Sequence, residues 1–246
     1  MIETDPADDI RRLGEWLTEA GLRLHVVRPH AGDPLPEDLT GYQALVLLGR
    51  EPASGAEGMS GWPPMAESLL RKAVRQKVAT LAIGHGAQLL AAAHAGTVAP
   101  AANGPEYGAR LVARRDVAES DPLFARVPFS PDVIQWHENE ITELPVGAVL
   151  LAASTRSPHQ AFRLGPVAWG LQFHIEADMD MVASWVATDS DRLHAHQLDP
   201  EAVVAAVEEV MGLITDVWQP FAARFAAVAR GDLRDPSRTV LPLISP

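Results

Sequence analysis

Val78-Ala79-Thr80-Leu81-Ala82-Ile83-Gly84-His85-Gly86-Ala87-Gln88-Leu89-Leu90-Ala91 is an apolar, β-prone run that stops at Gly84-His85-Gly86 and resumes as an alanine- and leucine-rich helix. A buried strand that passes through a glycine-flanked turn into a helix is how α/β proteins present one residue at the carboxyl end of a sheet. Such turns commonly hold a nucleophile above the first free N–H groups of the helix. Here the residue at the tip is Gly84, which has no side chain to attack with.

Working outward, residues 44–48 form a second short buried strand that runs into Gly49-Arg50-Glu51-Pro52. Ile10, Leu13, Trp16 and Leu17 fall at helical spacing, so residues 7–20 read as an amphipathic helix ended by Gly21. Residues 22–27 are a strand candidate, followed by a Pro/Gly loop at 29–36. The Gly/Ser/Pro stretch 53–64 reads as an exposed loop before a helix at about 65–76, and the helix after the glycine turn ends near Ala95-Gly96. A weak strand pattern surrounds residues 110–113, and residues 133–137, 149–153, 161–164 and 167–174 are further strands. From about residue 178 the chain is helical, at 178–188, 200–216 and 217–229. Residues 1–235 read as one domain and 236–246 as a Pro-rich tail.

Four segments carry a family resemblance. Ile83-Gly84-His85-Gly86-Ala87-Gln88-Leu89-Leu90 resembles the nucleophile elbow of class I glutamine amidotransferases, Gly-Ile-Cys-Leu-Gly-Ala-Gln-Leu-Leu. Gly170-Leu171-Gln172-Phe173-His174-Ile175-Glu176 resembles the family's Gly-x-Gln-Phe-His-Pro-Glu. Between them, Gln135-Trp136-His137 and Ser157-Pro158-His159-Gln160-Ala161-Phe162 resemble Gln-Trp-His-Gly-Asp and Pro-Asn-Gln-Ala-Phe, and Asp121-Pro122-Leu123-Phe124 resembles a recurring turn. The likeness runs over residues 5–215, with the motifs in the family's order. It implies a flavodoxin-like α/β three-layer sandwich, a mostly parallel sheet with helices on both faces. That fold normally starts with an apolar strand before the segment matching Glu3-Thr4-Asp5-Pro6, and here only Met1-Ile2 precede it. Either the sheet lacks most of a central strand or the native chain starts upstream of Met1.

The resemblance also implies a chemistry. A cysteine thiolate attacks the glutamine amide, a histidine shuttles the proton, a carboxylate orients the histidine, and backbone N–H groups hold the oxyanion. By that resemblance His174 and Glu176 are the histidine and its orienter, and their spacing of two along a strand puts both on one face. The chain contains no cysteine at all, which excludes every cysteine mechanism. Gly84 stands at the nucleophile position, and His85 follows it at the residue whose backbone N–H the family recruits. Gly49 and Arg50 stand in the oxyanion loop, where the family reads Gly-Gly-Pro. Arg50 is either an ordinary loop arginine or a sign that the site is rebuilt. Gln88 matches the family's glutamine-contacting residue, with a helix-to-loop hydrogen bond as the plainer alternative. His137 and Gln160 fall in the substrate-binding segments, and Asn139 replaces the family's aspartate. Gly84, Arg50, Asn139 and Ile175 depart together, which divergence of the whole pocket explains.

Three readings follow. The favoured one is an enzyme repurposed to another small-molecule reaction, with His174 as acid/base, Glu176 orienting it, and space vacated at Gly84. The alternative is a non-catalytic binding or partner subunit. The third, ranked well below, is a metal enzyme using His85, His137, His174 and Glu176. No metal and no cofactor is expected. The expected partners are a small molecule in the former glutamine pocket, a synthetase or a second copy of the chain. A formal net charge of -12 argues against nucleic acid and anionic membrane surfaces. No apolar run reaches about 18 residues. The acidic N-terminus (Glu3, Asp5, Asp8, Asp9) does not read as a signal peptide, and a cysteine-free chain fits the cytoplasm.

Overall fold

The computed structural model describes residues 1–5, 9–50 and 62–233. Of the stretch read as an exposed loop at 53–64, residues 53–61 lie outside these residues, as does the tail at 236–246, while residues 62–64 are the first turn of a helix that runs Trp62–Gln76 and not from about 65 as expected. A seven-stranded sheet runs in the order β1 (Ile2–Glu3), β2 (Ala44–Leu48), β3 (Ala79–Ile83), β11 (Ala168–Leu171), β10 (Ala161–Leu164), β9 (Val149–Ala153) and β6 (Ala113–Arg114). Its first four strands are parallel, and the turn into β10 begins an antiparallel half. Two small antiparallel pairs flank it, β4 (Thr97–Pro100) with β8 (Asn139–Glu143), and β5 (Glu106–Leu111) with β7 (Asp132–His137).

Strand alternation divides the core between the two faces. Val46 and Leu48 of β2, Leu81 and Ile83 of β3, and Trp169 and Leu171 of β11 pack with α1 (Arg11–Glu19) and α6 (Pro200–Arg230). Leu45, Leu47 and Ala82 point the other way, onto α2 (Trp62–Gln76) and α3 (His85–Ala92). This is the expected flavodoxin-like α/β sandwich. Two further helices, α4 (Met179–Thr188) and α5 (Ser190–Ala195), follow β11 and lead into α6. Among the described residues no helix is long and apolar enough to cross a membrane.

Three expectations are corrected. Residues 22–27 do not form a strand: Val27 alone bridges Ile2, because β1 offers only Ile2–Glu3 to pair with. Below that bridge, Leu22, Leu24, Ala44 and Val46 line a groove of about 480 Å³. The strand expected at 167–174 ends at Leu171, because the chain then leaves the sheet and His174 bridges Ile134 of β7. The two helices expected at 200–216 and 217–229 are one. Pro220 cannot supply its share of the helical ladder, yet Trp218, Phe221 and Phe225 on both sides of it are fully buried, and that burial holds the axis together.

The turn at Asp121 locks the antiparallel half to the core. Its buried carboxylate accepts from the Leu123 and Phe124 N–H groups at 2.9 and 3.1 Å, from Arg163 Nε at 2.8 Å and from Trp169 Nε1 at 3.1 Å. A buried charge satisfied by four donors is stable where an unpaired one would not be.

Candidate functional site

The parallel strands deliver the site to their carboxyl ends, as open α/β sheets do. At the end of β3 the Gly84 N–H donates to Leu171 O of β11 at 2.8 Å. Gly84 then turns with φ +59 and ψ -120, a backbone region that side chains other than glycine enter only under strain. α3 starts at the next residue.

The space above Gly84 is filled. A Cβ placed there would lie 2.5 Å from His174 Cε1, 2.9 Å from His174 Nε2 and 2.6 Å from Gly49 O. The vacancy expected at this point is therefore absent: the imidazole and the loop carbonyl have closed over the tip. The backbone tells the same story, since the His85 N–H donates to Gly49 O at 2.8 Å. In this conformation that N–H has an acceptor within the chain and does not face outward to an oxyanion.

His174 and Glu176 come together, although both lie beyond the end of β11 and not on the strand that the spacing argument assumed. Glu176 Oε1 stands 2.7 Å from His174 Nδ1, and both side chains are wholly buried. A carboxylate only accepts, so Nδ1 donates in this hydrogen bond, and Nε2 faces Gly84. Nε2 has no hydrogen-bond partner among the described residues. The Trp185 ring packs edge-on against the imidazole with centroids 4.9 Å apart.

Arg50 is not an ordinary exposed loop arginine. Its guanidinium reaches across to Asp189 Oδ2 at 2.6 Å and lies 5.3 Å over the Trp185 ring, with a tenth of its side chain exposed. Asp189 Oδ2 also accepts from Trp136 Nε1 at 2.8 Å. Gln88 Nε2 donates to the carbonyl O of Asn139, the first residue of β8, at 3.2 Å, and its Oε1 stands 3.2 Å from His85 Nδ1.

His137 and Gln160 lie in a buried polar network. His137 Nδ1 donates to Asn139 O at 2.9 Å, and its Nε2 stands 3.4 Å from Glu106 Oε2. Gln160 Nε2 donates to Glu106 Oε2 at 2.8 Å, while Gln160 Oε1 accepts from Gln135 Nε2 at 2.7 Å. Nearby, the Tyr107 hydroxyl donates to Glu138, and burial together with that carboxylate raises its pKa well above the ordinary phenol value. Gln160→Ala should cost about 2–3 kcal/mol in a urea melt, because it strips a buried carboxylate and a buried amide of their partner at once. A loss below about 0.5 kcal/mol would mean that water substitutes freely and the network is not structural.

The ligands imagined for a metal do not assemble. Among the described residues no three His, Asp or Glu side chains stand close enough to hold an ion. The sequence reading missed Glu106, Trp185 and Asp189. Glu106 sits in Gly104-Pro105-Glu106-Tyr107-Gly108, where an acidic residue opening a strand looks exposed. Asp189 follows α4 and meets Arg50 across 139 positions of sequence, with no local pattern to announce it.

Comparison with known proteins agrees with this architecture. The family model described as Glutamine amidotransferase class-I matches residues 13–183, more than two thirds of the chain. The GMP synthase [glutamine-hydrolyzing] of Christiangramia forsetii is 33% identical over 144 residues, which is 58% of this chain and 26% of that protein. The chain thus spans about a quarter of the length of that relative. The putative glutamine amidotransferase-like protein YfeJ of Salmonella typhimurium is 25% identical over 182 residues, 73% of this chain and 75% of its own. The crystal structure of a glutamine amidotransferase from Thermotoga maritima superposes with a TM-score of 0.79 at 23% identity, covering 92% of this chain and 96% of the other. From the elbow, the strand order and a match of this length, the chain belongs to the class-I glutamine amidotransferase family.

Proposed function

We propose that this chain is a non-hydrolytic member of its family, a binding or partner subunit that does not turn over glutamine through a thioester. One observation carries the reading: the elbow is closed by the chain itself, with His174 and Gly49 O filling the space over Gly84 and the His85 N–H bonded to Gly49 O. The absence of cysteine removes the thioester, and the capped N–H removes the donor that a tetrahedral oxyanion would need. The synthase relatives, of which this chain matches one part, support a synthetase-type protein as the partner. A cytoplasmic setting goes with that reading.

A second reading has one observation in its favour. His174 keeps an unpartnered Nε2 and a carboxylate on Nδ1, the arrangement of an acid/base at work on some other substrate.

Ammonia release from glutamine, measured with the purified full chain, is expected at background. Turnover that disappears in His174→Ala would sink the proposal. Incubation with a metabolite extract, followed by mass spectrometry of wild type against His174→Ala, separates the two readings. A metabolite consumed only by wild type would replace the first with the second.

A further inference from the structure

We infer that the Arg50–Asp189 pair is a latch that holds Gly49 and Arg50, the two residues after β2, where the Gly49 carbonyl covers the His85 N–H. The inference rests on the proposed non-hydrolytic reading and adds the device that maintains it.

Gly49 and Arg50 are consecutive, so the carbonyl that caps His85 and the guanidinium that reaches Asp189 are held on the two sides of one peptide link. Gly49 itself has φ +151, and a Cβ there would collide with Thr4 Oγ1, so only glycine fits. A glycine hinge does not hold a position by itself, because its backbone is the most permissive in the chain. Something must choose among the conformations open to it, and the side chain that follows is anchored in three ways. Arg50 Nη1 donates to Asp189 Oδ2 at 2.6 Å, its cationic plane covers the Trp185 ring at 5.3 Å, and the pair is about nine-tenths buried.

The anchor is itself rigid. Asp189 ends α4, its N–H donating to Trp185 O at 2.8 Å, and its Oδ2 takes the Trp136 indole N–H as well. Trp185 packs on His174 at 4.9 Å and on Trp136 at 5.3 Å. One carboxylate therefore ties Arg50 to β7 and to the helix that backs the His174 imidazole. Breaking a buried ion pair by removing one partner is costly, so Gly49 and Arg50 stay where Asp189 holds them. Asp189 is in these terms a positioning residue: it acts through Arg50 on the Gly49 carbonyl.

Amide hydrogen exchange on the full chain tests this at the His85 N–H. The expected result is exchange at least about tenfold faster in Arg50→Gly and in Asp189→Asn, with the Leu90 N–H of the same helix unchanged. Asp189→Asn is nearly isosteric and can still accept from Trp136, so it remains informative if Arg50→Gly does not fold. Arg50→Lys, which keeps the charge, should restore part of the protection. Unchanged exchange at His85 in Asp189→Asn would overturn the latch. A parallel rise at Leu90 would overturn it too, by showing general loosening. Because the measurement uses no glutamine, its failure is distinguishable from a failure of the non-hydrolytic reading, which the ammonia assay alone decides.

Discussion

Gly86→Ala is expected to destabilise the protein by about 4 kcal/mol, lowering its thermal midpoint by roughly 10 °C. Helix propensity alone predicts the opposite, since alanine inside a helix is favoured over glycine by about 1 kcal/mol. The contact decides the sign. A Cβ on Gly86 would lie inside the van der Waals surface of the Leu47 carbonyl, with the Leu47 carbonyl carbon at 2.9 Å and its Cγ at 3.3 Å. All three belong to β2, whose Leu47 is fully buried and hydrogen-bonded into the sheet, so the strand has nowhere to go. α3 would have to move off the sheet, pulling Ala87 and Leu90 from the core it shares with Leu45 and Ala82. Gly212→Ala supplies the contrast. It lies in α6 where a Cβ would meet nothing within 4 Å, so propensity is left to act and the variant should gain up to about 1 kcal/mol. Thermal melts of the two variants beside wild type suffice. A Gly86→Ala midpoint within about 2 °C of wild type would mean that the helix slides without penalty and that its close approach to β2 is not a constraint.

Much of this architecture was legible where burial acts locally. β2, β9 and β10 occupy the residues that their apolar runs mark out, 44–48, 149–153 and 161–164, because a strand buried in a sheet announces itself by composition. The elbow was legible for the same reason, and the His174–Glu176 pair was legible from its residue types and order, although both lie beyond the end of β11 and strand alternation does not account for their meeting. What failed depended on partners elsewhere in the chain. Residues 22–27 carry a strand's composition, but a strand exists only where another backbone lies beside it, and two residues of β1 are too few. Pro220 breaks the local rules for a helix, and tertiary burial of Trp218 and Phe221 overrode them. β4 pairs along a half-exposed edge with little apolar signal. In the site, the type and order of residues were readable, while their pairing was not. Arg50 could be recognised as a departure, but its meeting with Asp189 depends on how α4 returns over the sheet. The filled space at Gly84 was likewise invisible: deletion of a side chain suggests a vacancy, and only the placement of His174 and Gly49 O shows that neighbours have taken it.

Gly84→Cys, which restores the missing thiol, is expected to leave glutamine hydrolysis within about tenfold of background. Loss of a catalytic nucleophile typically costs about 10⁶ in turnover, so a chain lacking only its thiol should recover most of that factor when the thiol is returned. Three features of the closed elbow act against recovery. The new Cβ would meet His174 Cε1 at 2.5 Å and Gly49 O at 2.6 Å, so thiol, base and loop compete for one volume. The backbone at φ +59 and ψ -120 adds strain of about 1–3 kcal/mol for any residue with a Cβ. The His85 N–H is already engaged by Gly49 O, and losing one oxyanion donor alone costs roughly 10²–10³ in rate. Because the native chain has no cysteine, the substitution introduces its only thiol, and alkylation followed by mass spectrometry reports directly on whether that thiol is reachable in the folded protein. The expected outcome is a folded protein with a slowly alkylated thiol and background ammonia release. Turnover near the ordinary enzymatic range of about 1–10³ s⁻¹ would show instead that the loop opens unaided and that a single side chain separates this protein from a working glutaminase. Adding Arg50→Gly to Gly84→Cys then separates thiol access from chemistry. If the latch is what keeps the elbow closed, alkylation must quicken in the double variant, whereas hydrolysis rises only if the freed loop also turns an N–H toward the oxyanion.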